Sequence, residues 1–381
     1  MIKLAIIGAS YLQNPLIEKA KTMGIETHVF AWKCGDIGER TADYFYPISI
    51  VEKEQILEKC KEIGIDGICT IASDLATVAV NYVANAMGLV GNSAQCVELS
   101  TNKHKMRLAF EENNDPSPKS IRVEGYKDVE SEDFIFPIIV KPTDRSGSRG
   151  ITKLQNREGL EEAIERAKKE SFEKKALVEE FAEGQEYSVE FLSYKGRHHF
   201  LALTQKYTTG APHFIETAHI EPAPVSSEIL DKVKETVEHA LTSLKIENGA
   251  SHSELKIDHK GRIKLIEIGA RMGGDFIGSH LVYYSTGIDF VKNVILIAIG
   301  HKPKLEEAVD ISSVGVRFVF SNDDIKVINK LKEEHPEYIL MEDYEKPGSR
   351  EVTDSSTRFG AFIIQAPNLE ELQKYMPGDN E

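Results

Sequence analysis

Ser251-His252-Ser253-Glu254-Leu255-Lys256-Ile257-Asp258, His259-Lys260-Gly261-Arg262 and Ile263-Lys264-Leu265-Ile266-Glu267-Ile268-Gly269 read as the two strands and the turn of one β-hairpin. A four-residue turn centred between Lys260 and Gly261 sets Glu254 directly opposite Glu267. Side chains paired in this way have Cβ atoms roughly 4.5–5.5 Å apart, and like charges there repel. Glu267 is also embedded in the run Lys264–Ile268, where an unpaired carboxylate is costly. A hard divalent cation held by both carboxylates and by a phosphate resolves both problems. A one-residue slip of the register would remove the pairing.

The residues that follow, Gly269-Ala270-Arg271-Met272-Gly273-Gly274-Asp275, place a guanidinium just beyond the carboxylate pair. Arg271 is positioned to grip a transferring phosphoryl group or a carboxylate in bidentate fashion, or to form a salt bridge with a neighbouring acid. Upstream, Ile138-Ile139-Val140-Lys141-Pro142 is an apolar strand ending on a lysine, followed by Thr143-Asp144-Arg145-Ser146-Gly147-Ser148-Arg149-Gly150. The strand buries the lysine stem, and the Gly/Ser loop can turn several N–H groups toward one anion, which together make a phosphate clamp. The same pattern also suits an ordinary exposed turn. Leu177-Val178-Glu179-Glu180-Phe181-Ala182-Glu183-Gly184-Gln185-Glu186 offers an extended backbone to a purine edge, with Glu186 able to accept both hydroxyls of a ribose. A charged edge strand and turn is the competing reading of that stretch.

With 381 residues the chain suits two or three domains sharing a continuous core. Its 41% hydrophobic and 28% charged residues mark an ordinary globular protein. The net charge of −15 argues against a nucleic-acid partner, whose binding is driven by clustered cations. Cys34, Cys60, Cys69 and Cys96 form no CxxC and have no His at metal-ligand spacing, so we expect buried, reduced thiols. The N-terminal run lacks the features of a signal peptide, and no apolar stretch approaches the roughly 20 residues of a membrane span. A cytoplasmic protein is expected, with no membrane partner.

From Ile2 to Gly91 short apolar runs alternate with helical patterns, which predicts a parallel sheet covered on both faces. Gly8-Ala9-Ser10 sits at the first strand-to-helix turn, but Ser10 and Gln13 occupy the second and third glycine positions of a dinucleotide fingerprint, which argues against a nicotinamide cofactor. The expected organisation is an α/β domain over residues 1–98, a central domain over 99–305 with a small lid at about 119–182, and a C-terminal α+β lobe over 306–381.

Taken in order along the chain, these motifs resemble the ATP-grasp superfamily. The resemblance implies an N-terminal Rossmann-like pre-ATP-grasp domain, a lid and a C-terminal catalytic domain, with ATP between the last two. It implies that Lys103 and Lys141 contact ATP phosphates and that Ser146, Gly147, Ser148 and Gly150 belong to the phosphate loop. Glu179 would take the adenine amino group, the main chain of Glu180, Phe181 and Ala182 the rest of the adenine edge, and Glu186 the ribose. Glu254 and Glu267 would hold Mg²⁺, or Mn²⁺ in its place.

Within the superfamily, Glu267–Asp275 is similar to the L-amino-acid ligase and dipeptide synthase branch, as is Glu216-Thr217-Ala218-His219, whose acid would receive a substrate amino group. Glu216, His219, Arg271, Gly273 and Gly274 are the implied substrate contacts, with Arg271 catalytic. Two positions depart from the pattern. Gly269 stands where many members have a metal-binding Asn, and Ala218 replaces a glycine. The implied activity is ATP-dependent joining of a carboxylate to an amine through an acyl phosphate, with small-molecule substrates, a homodimer being allowed. A purine-pathway or carboxylase-like ligase and a non-catalytic nucleotide-binding accessory protein are the alternatives.

Overall fold

The computed structural model describes residues 1–145, 147, 149–211, 214–305 and 312–378. It opens with β1 (Lys3–Ile7), α1 (Asn14–Thr22), β2 (Glu26–Phe30), α2 (Ile37–Thr41), β3 (Tyr44–Tyr46), α3 (Lys53–Ile63), β4 (Gly67–Cys69) and α4 (Asp74–Met87). The four strands form a parallel sheet in the order β3-β2-β1-β4. The uninterrupted apolar run of β1 follows from burial on both faces: Leu4 and Ile6 enter one core, Ala5 and Ile7 the other. At the turn after β1, Gln13 Oε1 accepts hydrogen bonds from Ser10 N–H at 3.2 Å and Ser10 Oγ at 2.6 Å, while its Nε2 donates to Ile71 O at 2.9 Å. This side chain fills the space beside Gly8, where a Cβ would lie 2.9 Å from Gln13 Cδ. A dinucleotide pyrophosphate would need that same space.

Two helices connect this sheet to the rest. One, α5 (Ala94–Thr101), has no counterpart in the sequence reading. The other, α6 (Lys103–Asn113), begins where Asn102 accepts the N–H groups of His104 and Lys105, each at 3.1 Å. The lid follows as β5 (Ser120–Val123), β6 (Ile138–Pro142), β7 (Thr152–Leu154), α7 (Leu160–Glu170) and β8 (Ala176–Glu180), an antiparallel sheet in the order β5-β8-β6-β7. Ile138 and Val140 pack with Leu160, Ile164 and Ala167 of α7, so strand alternation turns Ile139 and Lys141 to the other face.

The remaining strands are β9 (Gln185–Tyr194), β10 (Arg197–Thr208), β11 (Glu216–Glu221), β12 (Gly249–Ile257), β13 (Ile263–Gly269), β14 (Ser313–Phe318), β15 (Ile339–Tyr344) and β16 (Gly360–Ala366). They form one eight-stranded sheet, ordered β13-β12-β9-β10-β11-β14-β16-β15. Three of these strands, β14, β15 and β16, come from the segment expected as a C-terminal α+β lobe over 306–381. Strand β14 pairs with β11 from Ala218 to Glu221, so the last strands extend the central sheet. Residues 306–311, at the expected boundary, lie outside the described residues. The helices of this part are α8 (Ser227–Ser243), α9 (Val282–Thr286), α10 (Phe290–Ala298), α11 (Asn322–Glu334) and α12 (Leu369–Gln373). Leu192, Leu201 and Ala250 of the large sheet share one core with Leu16 of α1 and Ile295 of α10, which welds the N-terminal domain to it.

The hairpin of β12 and β13 has Glu254 opposite Glu267, but not through the turn expected. The turn is centred on Lys260, with Asp258 Oδ1 accepting Lys260 N–H at 2.8 Å and Arg262 N–H at 2.9 Å. Ile257 consequently faces Ile263 and Leu255 faces Leu265, and an irregularity at Ile266 restores the carboxylate pair. Of the four cysteines, Cys60, Cys69 and Cys96 are buried, but Cys34 is exposed, in correction of the expectation for all four. Among the described residues no single helix is long and apolar enough to cross a membrane.

Candidate active site

The lid and the large sheet face each other across a cleft. From the lid, Lys141, Glu179, Glu180, Phe181 and Ala182 line it; from the sheet, Glu186, Glu216, Glu254 and Glu267 do so. Lys103 enters from the first turn of α6, Gly147 and Arg149 from the Gly/Ser loop after β6, and Asp74 from the first turn of α4. Ser146 and Ser148 lie outside the described residues. Gly150 has a φ of 70° and packs toward Glu170, where the chain turns back into β7.

The carboxylate pair is neutralised by two lysines. Lys103 Nζ donates to Glu267 at 2.6 Å and to Arg145 O at 2.7 Å. Lys206, on β10 and 4% exposed, donates to Glu254 at 2.7 Å and lies 3.2 Å from Glu186 and 3.6 Å from Glu216. Burial opposes the charge on Lys206, but the three carboxylates outweigh it and hold the ammonium proton well above the usual lysine value. Burial likewise opposes ionisation of Glu254, and Lys206 with His252 keeps that carboxyl well below its ordinary range. The β10–β11 pairing shifts between Tyr207 and Thr208, so Thr208 rather than Thr209 meets Glu216, which brings Glu216 to the face that carries Lys206.

Lys141 and Glu179 form a buried ion pair, and Arg107 of α6 adds a second cation to the same carboxylate at 3.1 Å. Arg107 also donates to Ile266 O at 2.7 Å, which ties the lid to the hairpin irregularity. Burial favours the neutral form of Glu179, yet Arg107 and Lys141 hold its carboxyl below the usual range. Burial lowers Lys141 despite Glu179. As placed, both oxygens of Glu179 are engaged by this chain's own cations. The N–H groups of Glu180 and Phe181 are bonded to Lys119 O at 3.0 Å and Pro137 O at 3.1 Å, so their carbonyls and Ala182 are what they offer to a base. The ring of Phe181 lies under Lys153 and Lys256, at 3.5 and 4.8 Å.

Arg271 lines the cleft and is gripped by Asp74, which accepts from Nε at 2.8 Å and Nη2 at 3.0 Å. This contact explains Gly269: a Cβ there would lie 2.6 Å from Asp74 Oδ1. The N-terminal domain thus occupies the space a side chain at 269 would need. Gly273 and Gly274 do not line the cleft among the described residues. Gly273 instead donates its N–H to Glu190 at 3.0 Å, and a Cβ there would meet Glu190 and His252. His219 is also buried, 1% exposed and edge-on to Phe318 at 5.6 Å; burial drives its pKa down to about 3, so the ring is neutral.

Lys206, Arg107, Asp74, Glu190 and His252 escaped the sequence reading. Glu190 bonds His252 Nδ1, and His252 Nε2 lies 3.5 Å from Glu254. Burial alone would lower His252, but Glu190 raises it to about 9. The alternation Glu186-Ser188-Glu190 and His252-Glu254 along facing strands carries the only signal in the sequence that could have found this pair.

Two opposed carboxylates are a fitting donor set for Mg²⁺, and lysines and a glycine loop at the same cleft fit a polyphosphate. Glu254 and Glu267 would hold the metal, and Lys103, Lys141 and Lys206 would meet phosphate oxygens.

A model of the ATP-grasp domain matches residues 134–279. Alanine–anticapsin ligase of Bacillus subtilis (strain 168) is 29% identical over 245 residues, 58% of this chain and 51% of that protein. The chain spans about half to three fifths of the length of the curated relatives it matches first. The crystal structure of L-amino acid ligase from Bacillus licheniformis superposes with a TM-score of 0.82 at 22% identity, over 98% of this chain and 96% of that one. Phosphoribosylglycinamide synthetase from Anaerococcus prevotii does so with a TM-score of 0.78 at 21% identity, over the same shares of the two chains, 98% and 96%. At such identities the superpositions speak for the fold, whose parallel N-terminal sheet, lid and large antiparallel sheet they reproduce. Residues 134–279 thus match the ATP-grasp domain, set within a fold that the whole chain shares with these solved structures.

Proposed function

We propose that the chain is a cytoplasmic ATP-dependent carboxylate–amine ligase that forms an amide bond between small molecules, with amino acids as the substrate class. The observation that carries this reading is the convergence of Glu254, Glu267, Lys103, Lys141, Lys206 and Arg271 on one cleft between lid and sheet. The similarity to alanine–anticapsin ligase supports it. In phosphoryl transfer the protein's task is positioning and charge neutralisation rather than covalent chemistry. Mg²⁺, when bound, supplies Lewis-acid neutralisation of the phosphate oxygens.

The chain's own residues do the rest. The lysines place the terminal phosphoryl group in line with a substrate carboxylate, and Arg271, held by Asp74, stabilises the charge that develops there. The carboxylate oxygen takes the phosphoryl group and ADP leaves. The amine nitrogen then attacks the carbonyl carbon of the acyl phosphate, the C–O bond to phosphate breaks, and the amine proton is lost. Glu216, with Lys206 on one oxygen and Ser355 Oγ donating to the other at 3.0 Å, is placed to receive an ammonium.

The test offers ATP, Mg²⁺ and pairs of L-amino acids and separates the nucleotide products. ADP and phosphate are expected, with a hydroxamate when hydroxylamine replaces the amine. AMP and pyrophosphate would refute the reading.

A further inference from the structure

A second cleft, of about 660 Å³, lies beside the first. Gly147 and Arg149 of the phosphate loop line both. Its other walls come from four parts of the chain: Tyr11 and Leu12 from the N-terminal domain, Asp275 and Phe276 from the segment after β13, Phe318 from β14, and residues 343–345, 354–356 and 358–361 around β15 and β16. Glu216 joins the two clefts, because Ser355 donates to its carboxylate at 3.0 Å and Arg358 to its carbonyl at 3.3 Å.

The chemistry of these walls is specific. Tyr11, Phe276, Phe318, Tyr344 and Phe359 present aromatic surface, and Asp275, Asp343, Glu345 and Asp354 outnumber the cations Arg149 and Arg358. Arg358 is spent on the chain itself: Nη2 grips both oxygens of Asp275 at 2.8 and 2.9 Å, Nε donates to Ser355 O at 2.8 Å, and the guanidinium lies over Phe318 at 3.6 Å. An anion receptor needs free donors in a bidentate fork, and this fork is closed. A phosphorylated substrate would add about two negative charges to an excess of carboxylates here, whereas a free amino acid with an apolar or aromatic side chain is neutral overall, and its ammonium and side chain meet complementary groups.

Resting on the ligase reading, we propose that this second cleft is the acceptor site and takes an unphosphorylated amino acid with an apolar or aromatic side chain. Arg358 is its positioning residue, holding Asp275, the Ser355 turn and Glu216 together. Tyr11 and Asp343, both exposed on the cleft walls, set the preference.

Calorimetry tests this on the full chain saturated with Mg·ADP, with L-phenylalanine and O-phospho-L-serine as separate probes. L-Phenylalanine should bind at least tenfold more tightly than O-phospho-L-serine. Tyr11→Ala and Asp343→Asn should each weaken L-phenylalanine about tenfold and leave the ADP affinity unchanged. Stronger binding of the phosphorylated probe, absence of L-phenylalanine binding, or an unaltered L-phenylalanine affinity in both variants would overturn the proposal. Failure of Mg·ADP to bind would instead sink the ligase reading beneath it, so the two failures are distinguishable. Arg358→Lys provides the positioning readout: it should raise the acceptor KM severalfold while lowering kcat by less, and an equal loss in both would remove Arg358 as a positioning residue.

Discussion

Replacing Glu179 by Gln should destabilise the protein markedly while removing only one charge. The carboxylate is buried, and it is the shared counter-ion of Lys141 and Arg107, both themselves buried. Removing one member of a buried ion pair leaves the others uncompensated and costs about 3–5 kcal/mol. At about 2.1 cal/mol/K per residue the unfolding entropy of 381 residues is roughly 0.8 kcal/mol/K, so the melting temperature should fall by about 4–6 °C.

The lid is affected most, since Arg107 belongs to α6 and Lys141 to β6, and Glu179 is what joins them. Lys141, already lowered by burial, should fall further and lose charge nearer neutrality, so ATP affinity should drop as well. The sign with pH is fixed: the folded Glu179 carboxyl is depressed, so its contribution is present above its ordinary value of 4.5 and lost as pH falls through the lower folded value. The gap between wild type and Glu179→Gln should therefore narrow in acid. Thermal melts at pH 7 and in acid, with Lys141→Met and the double variant completing a cycle, measure this. A Glu179→Gln protein as stable as wild type, or strict additivity with Lys141→Met, would refute the argument, because groups in one buried network must couple.

Glu254→Gln and Glu267→Gln should each cut turnover by orders of magnitude and raise the Mg²⁺ requirement, and melts with and without Mg·ADP should show a smaller ligand-induced stabilisation than in wild type. Arg271→Ala should abolish hydroxamate trapping while ATP binding persists; retained trapping would remove Arg271 from the chemistry. Stability should decline from about pH 6.5 to about pH 9, because folded His252 keeps a proton there that the unfolded chain has released, and urea titrations of His252→Gln should show a flatter profile. Gly184→Ala should be strongly destabilised in the same melts, since the new Cβ would lie 2.3 Å from Ile257 O at a φ of 113°.

The sequence by itself determined the parts whose geometry is local. A continuous apolar run put Lys141 at the end of a strand, and glycine and hairpin signals set Glu254 against Glu267. The turn itself was misread, because centring on Lys260 depends on Asp258 capping two N–H groups, and the compensating irregularity at Ile266 is fixed by Arg107, distant in the chain. Only the tertiary structure decided which charges meet. Asp74 and Arg271 are 197 residues apart, Lys103 and Glu267 164, and no periodicity links such positions. The same holds for Lys206, an ordinary strand residue until β9, β11 and β12 bring three carboxylates around it. Pattern along a chain fixes the face a side chain presents, whereas the neighbours that share that face are fixed by how the sheets and helices pack.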